Sequence, residues 1–401
     1  MSEARRFNRY LFTGMIFIVL LVLYLFLSAT GDPYPQSTLI SGVKWQLDNI
    51  VTSASGSDLW PMTWAADNNT YTTWGDGGGF GGDDTKCRTQ FGMAKIIGDP
   101  PSLTTFNILG CKSDGTGCTG TFTHDAACDA SYASTLALYG SDILAIDNTL
   151  FSIGWSDDPA VGEKISYSTD FGQTWTQNSW SWPRGAGSWV PISFVKSGMG
   201  YTDNAYIYIV GVKDGDWTHT YLARYPMPAN RSDISLDNQT QFQWFYGTAS
   251  DPHWTAWMNA LPIHTDSTGE NGGHMTYFPS LGRYILTQTH GGITAYEGMG
   301  EVQKFAMYES VNPWGPWHTI EYLSAWGSFG TSVGLWYSIN PKWISADGKT
   351  FWMSFSGGSN GSVNMDALHL VKGTFTLSGG ATPISRRPAG GVTHIGHTEE
   401  N

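Results

Sequence analysis

Positive charge is scarce in this chain. Lys and Arg number 21 against 34 Asp and Glu, so 401 residues carry a net −13 at pH 7. Nucleic acid is thereby excluded as a partner, because phosphate binding needs a basic face. Charge of either sign is sparse, at 14%. Helical periodicity is also missing: from about residue 46 to 377 no segment repeats its apolar residues at helical spacing. Cysteines are few and clustered, namely Cys87, Cys111, Cys118 and Cys128. Their spacing lacks the close pairs of a zinc site. No cofactor or metal is expected.

Aromatic residues and glycine are abundant. Trp, Tyr and Phe make up 14%, with 19 Trp, and Gly contributes 49 residues. Low charge with high Gly and Trp fits an all-β protein bearing an aromatic-lined binding surface. Sugars suit such surfaces, since their C–H faces stack on rings and their hydroxyls bond to nearby polar groups. More than half of the tryptophans are expected in the core.

The N-terminus reads as an export signal. Arg5, Arg6 and Arg9 form a basic region within residues 1–10, and an apolar run follows over 11–29. That run is long enough to span a bilayer. The flanking arginines predict a signal anchor with the body outside the cytoplasm; cleavage after Ala29 would release it instead. In an exported chain an even cysteine count reads as disulfides, and four cysteines allow three connectivities. Cys111–Cys118, closing the KSDGTG loop, with Cys87–Cys128 outside it, is the arrangement expected.

Residues 30–45 read as a polar linker and 378–401 as a loose tail. Between them, short alternating runs are separated by Gly, Asp, Asn and Pro. They fall into five modules with a period of about 60–70 residues, each a set of strands, which predicts a five-bladed β-propeller over 46–377. A six-bladed ring, with the Cys-rich segment as a degenerate blade, is the alternative. Ser168-Thr169-Asp170-Phe171-Gly172-Gln173-Thr174-Trp175 fits an Asp-box, a hairpin clasp that says little about chemistry. Sialidases carry such boxes, but no triad of arginines for a sialic carboxylate is evident here. Asn312-Pro313-Trp314-Gly315-Pro316-Trp317 reads as an outer turn with packing tryptophans.

The richest stretch is SDLWPMTWAADNNTYTTWGDGGGFGG, from Ser57 to Gly82. Leu59–Ala65 and Tyr71–Trp74 read as the arms of a hairpin turning at Ala66-Asp67-Asn68-Asn69. The midpoint of positions 58 and 76 lies in that turn, so an antiparallel pair brings Asp58 and Asp76 to the same open end. Facing residues there sit about 4.5–5.5 Å apart at Cβ. Retaining glycoside hydrolysis wants carboxyl groups roughly 5–5.5 Å apart. Asp58 and Asp76 are therefore the candidate catalytic pair. Asp58, among apolar neighbours, suits the acid, and Asp76, between glycines, suits the nucleophile. Asp142, which precedes a strand of the second module, is the candidate third carboxylate. Trp64, Trp74, Trp155, Trp182 and Trp336 are candidate sugar platforms, and His290 a candidate substrate-facing residue. Lys164, Lys213, Glu270 and Glu297 are lesser polar candidates near strand ends.

The segment DLWPMTWAADNNTYTTWGDGGGF, with YESVNPWGPW and SADGKTFWMSFSGG, resembles domain-of-unknown-function family 4185. That family overlaps glycoside hydrolase family 183, the endo-D-arabinanases acting on mycobacterial-type arabinan. The resemblance covers most of residues 45–377. It implies a five-bladed propeller and a retaining mechanism using two aspartates of the first blade, and the matching positions are Asp58 and Asp76. The Cys-bearing stretch 81–130 departs from the family pattern and would rebuild one wall of the cleft. The expected activity is hydrolysis of a furanose polysaccharide such as D-arabinan, with the membrane as a second partner through the N-terminal helix. A non-catalytic glycan-binding propeller, and an arabinanase- or xylosidase-like hydrolase with acids from several blades, are the alternatives.

Overall fold

The computed structural model describes residues 31–84, 86–111, 118–119, 138–203, 205–269, 273–291, 304–323, 331–359 and 366–379. Among these, the strands form five antiparallel sheets. The first holds Met62–Trp64, Thr70–Trp74, Gly92–Asp99, Ser102–Cys111 and the short Cys118–Thr119; the second Tyr139–Ile146, Thr149–Trp155, Glu163–Ser168 and Thr176–Gln177. The third holds Trp189–Phe194, Tyr206–Lys213, Asp216–Pro226, Gln243–Thr248 and Asp251–Thr255; the fourth His274–Phe278, Arg283–His290, Lys304–Ser310 and His318–Tyr322. The fifth joins Thr331–Ile339, Thr350–Ser359 and Leu368–Leu377 to Ile40–Trp45 from the other end of the chain.

The first strand of each sheet lies innermost, and side-chain-to-backbone bonds tie each sheet to the next. Ala145 N–H donates to Thr63 Oγ1 at 2.9 Å, Ser141 Oγ to Ile192 O at 3.2 Å, Ser193 Oγ to Gly273 O at 2.8 Å, and Thr276 Oγ1 to Ile339 O at 2.8 Å. Ser354 Oγ closes the circle on Trp60 O at 2.9 Å. The result is a five-bladed β-propeller. Inner strands such as Trp189–Phe194 and His274–Phe278 are buried throughout, because neighbouring blades cover both faces. Outer strands such as Ser102–Cys111 alternate between exposed and covered positions instead.

One expectation about organisation is corrected. Residues 40–45, within the expected linker, form the outer strand of blade five, with Val43 opposite Phe375 and Lys44 opposite Thr374. The strand covers the Gly373–Leu377 part of the blade-five edge, which would otherwise be bare, while Val51–Ser53 covers Leu368–Leu370. The Asp-box is a clasp between the outer strands of blade two: Asp170 accepts from Thr174 N–H at 2.9 Å and from Ser168 Oγ at 2.7 Å. Trp317 of the Asn-Pro-Trp turn donates to Ile263 O of the preceding blade at 2.8 Å. Among the described residues no helix is long and apolar enough to cross a membrane. The expected anchor at 11–29 and the tail beyond 379 lie outside those residues.

Candidate active site

The hairpin of blade one has the predicted register: Met62 faces Thr72, Thr63 faces Tyr71 and Trp64 faces Thr70. Asp67 shapes its turn, accepting from Asn69 N–H at 3.0 Å and from the Tyr71 hydroxyl at 2.9 Å. Continued past the regular strands, this register sets Asp58 against Asp76. Gly75 N–H donates to Asp58 O at 3.1 Å. A methyl group on Gly75 would come within 2.5 Å of Asp58 Oδ1, so glycine is what lets the chain pass that carboxylate.

The segment leaving Asp58 is strained. Leu59 and Trp60 have φ of +77° and +60°, a region that L-residues enter at about 1–3 kcal/mol each. Three bonds hold them there. Leu59 N–H donates to Ser356 Oγ at 2.7 Å, Trp60 Nε1 to Ser57 O at 2.8 Å, and Trp60 O accepts from Ser354. Asp58 thereby stands at the junction of blades one and five.

Four carboxylates, Asp58, Asp76, Asp84 and Asp366, and a guanidinium share this junction. Gly56 N–H donates to Asp366 O at 2.5 Å, which brings the start of the last strand of blade five beside Asp58. Arg88 pairs with both Asp76 and Asp84. Asp58 Oδ1 is sealed from solvent and has no hydrogen-bond partner. Burial first, then the Asp76 and Asp366 charges, push Asp58 well above the usual carboxylate range, against the Asp76 backbone N–H and Arg88. Burial also raises Asp76, with Arg88 as the largest opposing influence and Asp366 and Asp84 adding to the rise. Asp366 is raised by burial and by Asp84, and lowered by Arg88. The two aspartates thus differ: Asp76 has a cation in contact and Asp58 does not. Sequence reasoning missed Arg88 and Asp366, whose signal was positional. Both lie next to strand ends on the side of the ring where Asp58 and Asp76 sit, but only ring closure brings blade five to blade one.

Asp142 is corrected from third carboxylate to axial structural group. It is fully buried, pairs with the buried Lys196, and accepts from Phe194 N–H at 2.6 Å. Burial raises its pKa and Lys196 opposes the rise. His274 Nδ1 lies 3.9 Å from Asp142 Oδ1, and burial, then Lys196, keep that imidazole neutral by lowering it well below its usual range. An arrangement with acids gathered from several blades would need Asp142 at the cleft, and Lys196 holds it at the axis.

The aromatic candidates divide. Trp155 is half-buried and stacks on Tyr139, centroids 4.2 Å apart at 17°. Trp64 lies at the turn end of the hairpin, away from the aspartates, and donates to Asn68 Oδ1 at 3.0 Å. Trp74 is wholly buried against Trp60, 5.0 Å between centroids, and a methyl on Gly92 would meet it at 1.7 Å. Trp182 is core beside Trp180 and Phe242. Trp336, at φ +59°, plugs the centre with Leu59, Val190 and Ile192, and its Nε1 donates to Ser141 O at 2.8 Å. Trp74, Trp182 and Trp336 are packing elements, because the ring closes around their faces, and Trp64 stays part-exposed at the far end of the hairpin. His290 is likewise structural: buried, stacked on Tyr322 at 3.8 Å, its Nε2 3.0 Å from Leu323 O, its pKa pushed down to about 4 chiefly by burial. Lys213 is exposed and Lys164 lies 3.5 Å from Asn178 O; Glu270 and Glu297 lie outside the described residues.

The free, buried thiols of Cys87 and Cys111 touch each other. Cys111 also stands opposite Cys118 across the strand pair, in keeping with the expected Cys111–Cys118 link. Strand Ser102–Cys111 ends beside the loop carrying Cys87, which a loop-by-loop reading does not anticipate. Cys128 lies outside the described residues.

No protein-family model matches the chain, and no curated protein matches it in sequence. Among solved structures, the chain is similar to an α-L-arabinofuranosidase of Podospora anserina crystallised with cellotriose: 11% identity, 85% of this chain and 99% of that one, TM-score 0.46. It is also similar to the catalytic domain of a Coprinopsis cinerea α-L-arabinofuranosidase, at 12% identity over 82% and 98%, TM-score 0.42. A third is a xylan β-1,4-xylosidase of Bacillus halodurans, at 12% identity over 88% of this chain and 58% of that one, TM-score 0.44. Likeness at this level leaves the chemistry to be argued from the cleft's own residues.

Proposed function

We propose that this protein is a retaining glycoside hydrolase that cleaves a furanose polysaccharide such as the D-arabinan of a cell envelope. The observation that carries the reading is the asymmetry of the first-blade aspartates. Asp58 is part-exposed with its Oδ1 sealed, raised and without a contacting cation, so it keeps a proton to give. Asp76 is paired with Arg88, so it is the one that ionises. In the first step Asp76 attacks the anomeric carbon while Asp58 protonates the departing glycosidic oxygen, leaving a glycosyl ester on Asp76. In the second, Asp58 takes a proton from water, the hydroxyl attacks the anomeric carbon, and Asp76 leaves as a carboxylate beside Arg88. The choice of arabinan rests on the sequence resemblance of the hairpin. The basic and apolar N-terminal segment supports a propeller held outside the cytoplasm, anchored or secreted.

The soluble body, from about residue 31, should release oligosaccharides from arabinan within a panel of furanose polymers. Asp58→Asn and Asp76→Asn should each lower turnover by about a thousandfold or more, with melting temperatures nearly unchanged. Near-wild-type turnover in either variant sinks the pair. Product NMR showing an inverted anomer would remove the nucleophile role from Asp76. Binding without products would make the protein a glycan-binding propeller.

A further inference from the structure

Blade two gives the cleft a wall that this chemistry does not use. Tyr139 opens the innermost strand Tyr139–Ile146. A methyl on its neighbour Gly140 would lie 3.0 Å from Trp74 O, and Gly140 N–H donates to Gln90 O at 3.3 Å. Blade two is therefore pressed against the two ends of the segment that carries Asp76 and Arg88. The Tyr139 phenol is close enough to feel the Asp76 charge.

This wall is built rigidly. Tyr139 is stacked on Trp155, its partner across the strand pair. The Arg184 guanidinium lies over Trp155 at 5.2 Å from the ring centre. Arg184 is fixed by Glu163, with Nε at 2.7 Å and Nη2 at 2.6 Å from Oε1. Glu163 is buried, and it is itself the partner of Trp155 across the next strand pair. At the other end the Tyr139 hydroxyl donates to Asp157 Oδ2 at 3.2 Å. A buried carboxylate thus holds a guanidinium, which holds an indole, which holds a phenol ring beside Asp76. An aromatic pair needs no such brace for packing alone. A ligand that must land in one place benefits from it, because little side-chain freedom is lost on binding.

We propose that the Tyr139–Trp155 stack is a binding subsite for a neutral sugar ring adjoining the bond flanked by Asp58 and Asp76, with Arg184 and Glu163 as its positioning residues. The proposal rests on the glycosidase reading above and adds the subsite to it. Trp155 already carries Tyr139 and Arg184 on its ring, so the contact offered to the sugar is Tyr139's. Asp76 and Asp157 border the stack, and their charge disfavours an acidic sugar.

The test uses arabinan oligosaccharides of increasing length. Binding is measured by calorimetry on the cleavage-deficient Asp76→Asn protein, and KM and kcat on the active one. Tyr139→Ala should weaken binding about tenfold and raise KM to match, with kcat little changed. Tyr139→Phe, which keeps the ring, should restore both. Arg184→Gln should raise KM about threefold by loosening the stack. Should Tyr139→Ala fail to fold, Arg184→Gln decides the matter alone, and an unchanged KM overturns the subsite. Tyr139→Ala binding within twofold of its parent, with oligosaccharides still cleaved, removes the subsite and leaves the glycosidase intact. Absence of both binding and cleavage across the panel removes the two together.

Discussion

Asp142 near the propeller axis and Asp58 at the cleft both belong to the innermost segment of a blade, and both are pushed up by burial. Their surroundings differ in the partner supplied. Asp142 has the Lys196 ammonium and a backbone N–H to itself. Each aspartate has one oxygen, Oδ1, without a hydrogen-bond partner, but Asp58 has no cation in contact: two other carboxylates lie within electrostatic reach, and the nearby arginine is already engaged with Asp76 and Asp84. The axial site spends a cation to make a buried charge tolerable. The cleft withholds one, and the result is a carboxyl group that keeps its proton. Asp142 is wholly buried and Asp58 only partly, and the partners supplied are what set their charge states apart.

The comparison breaks most visibly under substitution at the axis. Lys196→Met leaves Asp142 buried without its cation and should cost about 3–5 kcal/mol in a denaturant melt. Asp58→Asn removes a carboxyl that has no cation in contact and should leave the same melt nearly unchanged. Equal losses at the two sites would erase the distinction. Glu163 offers an intermediate case, buried yet paired with Arg184, its pKa raised to about 7 by burial. A folded-state value above the unfolded one gives stability that is full at low pH and lost as pH rises through about 7. The wild type should therefore lose on the order of 3 kcal/mol between roughly pH 4.5 and 7 from this group. Melts of Glu163→Gln across that window should be flatter, and an unchanged slope would show that Arg184 already compensates the charge. Cys87 precedes Arg88 and touches Cys111. Non-reducing peptide maps should recover a Cys87–Cys111 link, and Cys87→Ser should cost about 2–4 kcal/mol. Recovery of Cys111–Cys118 would support the sequence-based pairing instead. The smallest effect is expected from Asp366→Asn. It removes a like charge that raises Asp58, so the alkaline limb of the kcat/KM profile should move to lower pH, and Asp366→Glu should restore it.

How much of this was legible in the sequence depended on range. The hairpin was readable because Asp67, Asn68 and Asn69 mark a turn and its register follows by counting outward. The five blades were readable because turn residues punctuate strands at a steady period. The tryptophans were not, because composition gives the number of indoles and not the face each presents. Trp74 and Trp182 sit in sequence contexts no more apolar than that of Trp155, yet only Trp155 stays half-exposed. Arg88 and Asp366 escaped for a different reason. They meet only when the ring closes, and nothing near either residue in the chain encodes the other. The closing strand Ile40–Trp45 was hidden in the same way, since its partner lies more than three hundred residues on, at Gly373–Leu377.

That closing strand has a consequence for how the junction around Asp58 is assembled. Asp58 and Asp76 are made early, and their hairpin needs only local turns. The bonds from Leu59 to Ser356 and from Gly56 to Asp366 need the last blade. That blade is itself complete only when Leu368–Leu377 has found Ile40–Trp45. A nascent or clipped chain therefore carries both aspartates without the strained, sealed geometry that separates their roles. On the proposed reading, the acid and the nucleophile take up their separate roles only when the two ends of the propeller meet.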